Sequence, residues 1–263
     1  MHASMPPSRP RPPVRVAPHR TAAHAALLAV LVAFGSGAAA AASPASAACQ
    51  STGSPLAPAV IELYTSEGCD SCPPADRWLS TLKGRTDVIP LAFHVDYWDR
   101  LGWKDRFASP TYTARQQDVQ RRNGSRVSYT PQVVVNGADW RGWSTRTLPA
   151  PAAAAADIRM VRNGRRVEAT VTPRPGGAPL AGYWAVVEDD HVTAVKAGEN
   201  RGATLRHDHV VRAYLPVAGA PGDAPRTHAF EPPVPEDNRP RRVVFVVTDE
   251  RSGRPVQAAA LGC

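Results

Sequence analysis

The chain has 263 residues, 43% of them apolar, with 31 Lys and Arg against 23 Asp and Glu and a formal net charge of +8. That length holds one large domain or two ordinary ones, and that apolar share excludes a chain disordered throughout. The charge does not point to nucleic acid: Arg9, Arg11, Arg15 and Arg20 lie in the first 48 residues, and the remaining 27 basic residues are scattered among 23 acidic ones with no basic run interleaved with aromatics.

Residues 1–48 read as a secretory signal: a basic, Pro-rich start to about His24, an apolar stretch, and the small-x-small triplet Ala45-Ser46-Ala47. The strongly apolar part, Leu27 to Phe34, is too short to span a bilayer. The expectation is a secreted or periplasmic protein with no stable membrane span after cleavage. Lipidation at Cys49 is the alternative, but the preceding Ser-Ala-Ala lacks the bulky apolar residue such a signal carries. In an oxidising compartment an even number of cysteines suggests pairing. Cys69 and Cys72 are natural partners, which by elimination leaves Cys49 with Cys263. That bond would close a loop of about 215 residues, worth roughly 4–5 kcal/mol in the chain-entropy account.

Downstream, Ala59 to Thr65 reads as a buried strand, and Ala75, Trp78, Leu79 and Leu82 at helical spacing predict a helix stopped by Gly84. Residues 88–98 form a second strand. Ser109 caps a helix with Pro110 at its first position, ending at Asn123-Gly124. Residues 127–137 give a third strand turning at Asn136-Gly137, with a fourth around Trp140 to Trp143. The order β-α-β-α-β-β predicts an α/β domain over 55–150. Residues 149–157 read as a final helix or a linker. From 156 to 263, alternating runs turning at Asn163-Gly164 and Asp189-Asp190, with others after them, predict a small all-β, sandwich-like domain.

The segment Gly68-Cys69-Asp70-Ser71-Cys72-Pro73-Pro74 sits where the first strand enters the first helix. A thiolate at a helix N-terminus is stabilised, which makes Cys69 the attacking nucleophile and Cys72, one turn on, the resolving thiol. Zinc sites and structural pairs use the same spacing. A second element narrows the choice. Pro131 stands at the entrance of a strand, where it cannot donate to the ladder, and a cis Thr130–Pro131 bond accounts for it.

This sequence of elements over residues 57 to about 150 resembles the thioredoxin superfamily. The runs VIELYTSEGCDSCPPAD, AFHVDYWDRLGWKDRFASPTYTARQ and YTPQVVVNG are also similar to a family of secreted thioredoxin-like proteins of unassigned function, over nearly all of the exported chain. The resemblance implies an α/β thioredoxin-like domain followed by the small all-β domain, with Thr130-Pro131 against Cys69–Cys72 and the Thr130 backbone pairing with a bound peptide. The chain departs from thioredoxin at Gly68, where an aromatic residue is usual, and in the Asp-Ser dipeptide between the cysteines. Asp70 beside the thiolate predicts a less acidic Cys69 than in strongly oxidising relatives. Leu63 stands at the place of thioredoxin's buried aspartate, so Glu62 is the nearest carboxylate, either shuttling the Cys72 proton or paired with an arginine.

His94 and Asp96 alternate onto one face at a strand's C-terminal end, as proton carriers, part of a metal site, or hydrogen-bonded core. Tyr97, Trp98, Trp103 and Phe107 line a peptide groove or fill the core. His207 and His209 form a His-x-His pair able to bind copper or zinc, with no third ligand evident. The function expected is an exported thiol–disulfide oxidoreductase with no cofactor beyond its redox-active disulfide, acting on exported cysteine-containing proteins or a redox partner. The alternative is copper or zinc held by Cys69, Cys72 and His94, or a protein-interaction module without redox turnover.

Overall fold

The structure is a computed structural model and describes residues 49–220 and 222–263, so the signal expected over 1–48 lies outside the described residues. In chain order come β1 (Gln50–Thr52), β2 (Leu56–Ala57), β3 (Ala59–Thr65), α1 (Pro73–Ser80), β4 (Val88–His94), α2 (Pro110–Arg122), β5 (Gln132–Val135), β6 (Ala138–Asp139) and β7 (Ala152–Ala153). There follow β8 (Ala156–Asn163), β9 (Arg166–Pro173), β10 (Leu180–Glu188), β11 (His191–Ala194), β12 (Thr204–His207), β13 (Val210–Ala220), β14 (Arg226–Phe230), β15 (Arg241–Asp249) and β16 (Pro255–Leu261).

All seven residues of β3 are buried, because both faces of the sheet are covered there. Val60 and Tyr64 pack with Phe93 and with Tyr112 and Val119 of α2, while Ile61 and Leu63 pack with Ala75 and Leu79 of α1. The Ser109 hydroxyl accepts from the Thr111 N–H at 3.2 Å, and Asn123 closes the other end of α2. Eight strands form one mixed sheet in the order β16-β15-β10-β13-β4-β3-β5-β6. A second sheet, β1-β8-β9-β14, lays Ile158 and Met160 against Trp184, Phe245 and Leu261. Along β10, Trp184 faces that layer while Tyr183 and Ala185 face the α2 side, the period-2 alternation of a strand covered on both faces.

The expected fold class, an α/β thioredoxin-like domain followed by a small all-β sandwich-like domain, is overturned. The described residues hold two α-helices against sixteen strands, and large mixed sheets dominate. Strands from both sides of residue 150 share the eight-stranded sheet, joined where β13 runs parallel to β4 at Val210↔Ala92. The free edge of β4 recruits a distant strand, and local patterning carries no record of such pairing. Three local expectations change with it. Asp189-Asp190 does not turn a hairpin, since both edges of β10 are taken by β13 and β15 and β11 pairs with β12. Residues 149–157 form no helix and contribute the short β7, bridged to β2. The strand expected around Trp140 to Trp143 ends earlier, at Asp139.

A disulfide joins Cys49 to Cys263 with Cα atoms 5.8 Å apart, pinning the start of the described chain to its end. Replacing both cysteines by serine is expected to lower stability by about 2–5 kcal/mol, read as a shift of the denaturant midpoint. An unchanged midpoint would show that the sheets alone hold the ends. No helix among the described residues is long and apolar enough to cross a membrane.

Candidate functional site

Cys69 and Cys72 form a disulfide, with Cα atoms 5.4 Å apart. The helix begins one turn later than the sequence suggests: Cys72 is the N-cap of α1, and Cys69 lies in the turn before it, its carbonyl accepting the Cys72 N–H at 3.3 Å. Pro73 and Pro74 fill the first two helical positions, so two of the N–H groups that usually face an anion are missing. A Cys69 thiolate therefore receives the helix dipole with fewer direct donors.

The Thr130–Pro131 peptide is cis. The Thr130 hydroxyl donates to Cys69 Sγ at 3.2 Å and accepts from Trp98 Nε1 at 2.8 Å. Ser71 Oγ lies 3.4 Å from the same sulfur. Both sulfur-bearing residues are fully covered. Part of the cover is the segment between β11 and β12: Asn200 Nδ2 donates to the carbonyls of Glu67 at 2.9 Å and Cys69 at 2.8 Å, and Glu199 Oε2 accepts from the Asp70 N–H at 3.2 Å. If this segment must lift before a thiol can reach Cys69, Asn200→Ala removes two hydrogen bonds worth about 1 kcal/mol each and accelerates reduction by dithiothreitol about thirtyfold. An unchanged rate would place the barrier elsewhere.

Glu62 is buried in a closed network. Arg115 grips it at 2.5 and 3.1 Å, Tyr64 donates to it at 2.6 Å and Tyr183 at 2.9 Å. The arginine partner weighed from the sequence is the one present. Asp96 turns to Thr113, whose hydroxyl donates to it at 2.6 Å, and does not join His94. Of the aromatics, Trp98 reaches the site through Thr130, Trp103 Nε1 donates to Glu67 at 2.8 Å, and Phe107 is buried among the rings of His94, His191 and His207. His207 and His209 do not form a pair. His209 takes a left-handed φ of 61°, which sends the two rings apart: His207 to Glu67 and Asp76, His209 to Asp189 and Arg242.

His94 is fully buried, and its Nδ1 lies 2.6 Å from Asp105 Oδ2. Burial alone would raise the Asp105 carboxyl, but His94 beside it and the N–H groups of Glu67 and Phe107 hold it below the usual range. The His94 and His207 rings meet edge to face at 5.0 Å. Burial opposes a charge on His207, yet Asp76 and Glu67 outweigh it and push its pKa up to about 10. Sequence reasoning named His94 and His207 but missed Glu67, Asp76 and Asp105. Asp76 carried one usable signal, a position four residues after Cys72 on the same helical face.

A family model described as a protein of unknown function, DUF1223, matches residues 60–248. The chain belongs to the DUF1223 family. The DUF1223 match takes in Cys69, Cys72, Thr130, Pro131 and the histidines of the buried cluster, and leaves Cys49 and Cys263 outside. The chain is also similar to the crystal structure of protein AGR_C_4864 from Agrobacterium tumefaciens, at 28% identity and a TM-score of 0.58, over 77% of this chain and 93% of that one. No curated protein matches.

Proposed function

We propose that this DUF1223 protein is an exported thiol–disulfide oxidoreductase acting on cysteine-containing exported proteins or a redox partner. In the reducing direction, the Cys69 thiolate attacks a substrate disulfide, forms a mixed disulfide and releases one substrate thiolate. The Cys72 thiolate then attacks Cys69 Sγ, re-forms the Cys69–Cys72 bond and releases the second, so two electrons pass to the substrate. The oxidising direction is the reverse. The observation that carries this reading is the Thr130 hydroxyl 3.2 Å from Cys69 Sγ, beside Pro131 and against the disulfide. That pairing of CxxC with Thr-Pro is what the chain has in common with the thioredoxin superfamily.

The full burial of both cysteines favours a second reading, a permanent structural disulfide in an interaction module. A redox titration with alkylation and peptide mapping separates the two. An exchange centre titrates between about −120 and −270 mV, whereas a structural bond stays oxidised below about −300 mV. The expected result is Cys69–Cys72 in the upper range with Cys49–Cys263 still oxidised. Resistance of Cys69–Cys72 to reduction would end the oxidoreductase reading.

A further inference from the structure

Beside the CxxC turn the interior holds more ionisable groups than its hydrogen bonds satisfy. Glu67, Asp76, His94, Asp105 and His207 are all buried. His94 Nε2 and His207 Nδ1 have no hydrogen-bond partner, and His207 Nε2 and Glu67 Oε1 face each other only as a charge contact at 3.3 Å. Unpaired polar atoms at such depth are expensive, and their grouping at one point asks for a common partner. Asp76, His94 and His207 each offer a ligand atom, and those atoms lie within 4.8 Å of one another.

The surroundings are arranged as a metal's outer shell. Asp105 holds His94 Nδ1 at 2.6 Å, which leaves the lone pair on Nε2. Glu67 Oε1 stands 3.3 Å from His207 Nε2, leaving Nδ1 toward Asp76 Oδ1 at 3.7 Å. Thr65 donates to Asp76 Oδ2 at 2.9 Å and leaves Oδ1 for a ligand. Each imidazole thus has a carboxylate behind it and a free nitrogen in front. An imidazolium at His207 answers only part of this, because it gives His94 Nε2 no partner.

We propose that Asp76 Oδ1, His94 Nε2 and His207 Nδ1 bind one divalent transition-metal ion, with zinc the class best matched by two imidazoles and a carboxylate. Ligand atoms about 2.0–2.1 Å from a tetrahedral zinc stand about 3.3 Å apart. On binding, the ion would draw the three ligand atoms in from their present separations of up to 4.8 Å. The set contains no sulfur, so the site is distinct from metal held by the cysteines and does not depend on the redox reading.

The test uses the protein with both disulfides intact, stripped by chelator and then titrated with zinc chloride or cobalt chloride. Expected are one zinc per chain retained after desalting, a melting temperature that rises with zinc concentration, and a cobalt spectrum with tetrahedral ligand-field bands and no thiolate charge-transfer band. These readouts need no variant. His94→Gln and His207→Gln should each weaken binding about 10–100-fold or more, and the Cys69→Ser/Cys72→Ser double variant should keep it. No stoichiometric zinc in the oxidised protein, binding unchanged in both histidine variants, or binding lost with the cysteines would each overturn the site.

Discussion

Cys69→Ser is expected to bring disulfide exchange down to the uncatalysed background, while Cys72→Ser leaves the first step intact and accumulates mixed disulfides. The asymmetry follows from position. Cys69 Sγ touches the Thr130 hydroxyl in the loop entering β5, and Cys72 caps α1 with its helix behind it. A nucleophile that attacks without a resolving partner stays bonded to its substrate, so the Cys72→Ser adducts identify substrates by mass spectrometry. If both variants behave alike, with no adduct under oxidising or reducing conditions, the disulfide is structural. Loss of this activity would leave the zinc titration untouched, since the proposed ligands are Asp76, His94 and His207.

The largest loss of stability is expected at Arg115. Arg115 is bidentate on Glu62, donates to the Tyr214 hydroxyl at 2.8 Å and stacks over the Tyr183 ring at 4.1 Å. Burial and the Glu62 charge together hold the Tyr64 and Tyr183 hydroxyls well above their ordinary pKa, so both remain donors. Arg115→Met removes the only cation in contact with Glu62 among these groups and strands a buried carboxylate. The expected cost is about 3–5 kcal/mol in denaturant unfolding of the oxidised protein. Glu62→Gln in the same chain should recover much of it, because the stranded charge, rather than the lost pair, is the main penalty. No recovery in the double variant would mean that packing around the guanidinium, not charge, dominates.

Strand β3, the Ser109 cap and the two helices were legible because each follows from local pattern: a short run of apolar and β-branched residues for the strand, apolar residues at helical spacing for α1, a capping hydroxyl, a glycine or asparagine stop. The juxtaposition of Val210 with Ala92 was not legible, since strand pairing over more than a hundred residues leaves no trace in periodicity. That pairing joins strands expected in an α/β domain and in a following all-β domain into one continuous sheet. The buried cluster was half legible. His94 and His207 stand out as scarce residues, but Glu67, Asp76 and Asp105 look like ordinary surface acids until the fold closes over them. His-x-His failed as a motif because His209 leaves extended geometry, which residue type alone does not announce.

The parallel seam between β13 and β4 has a consequence for how this protein can be divided. Cut near residue 150, the N-terminal piece keeps the CxxC turn and Thr130-Pro131 but bares the edge of β4, an invitation to pair with another chain. It also loses Asn200 from over the disulfide and His207 from beside His94. A chimera that grafts residues 55–150 onto an unrelated carrier would therefore transplant the sulfurs without their roof or their neighbouring imidazole. Any cut near residue 150 parts the sulfurs from groups that the second half supplies.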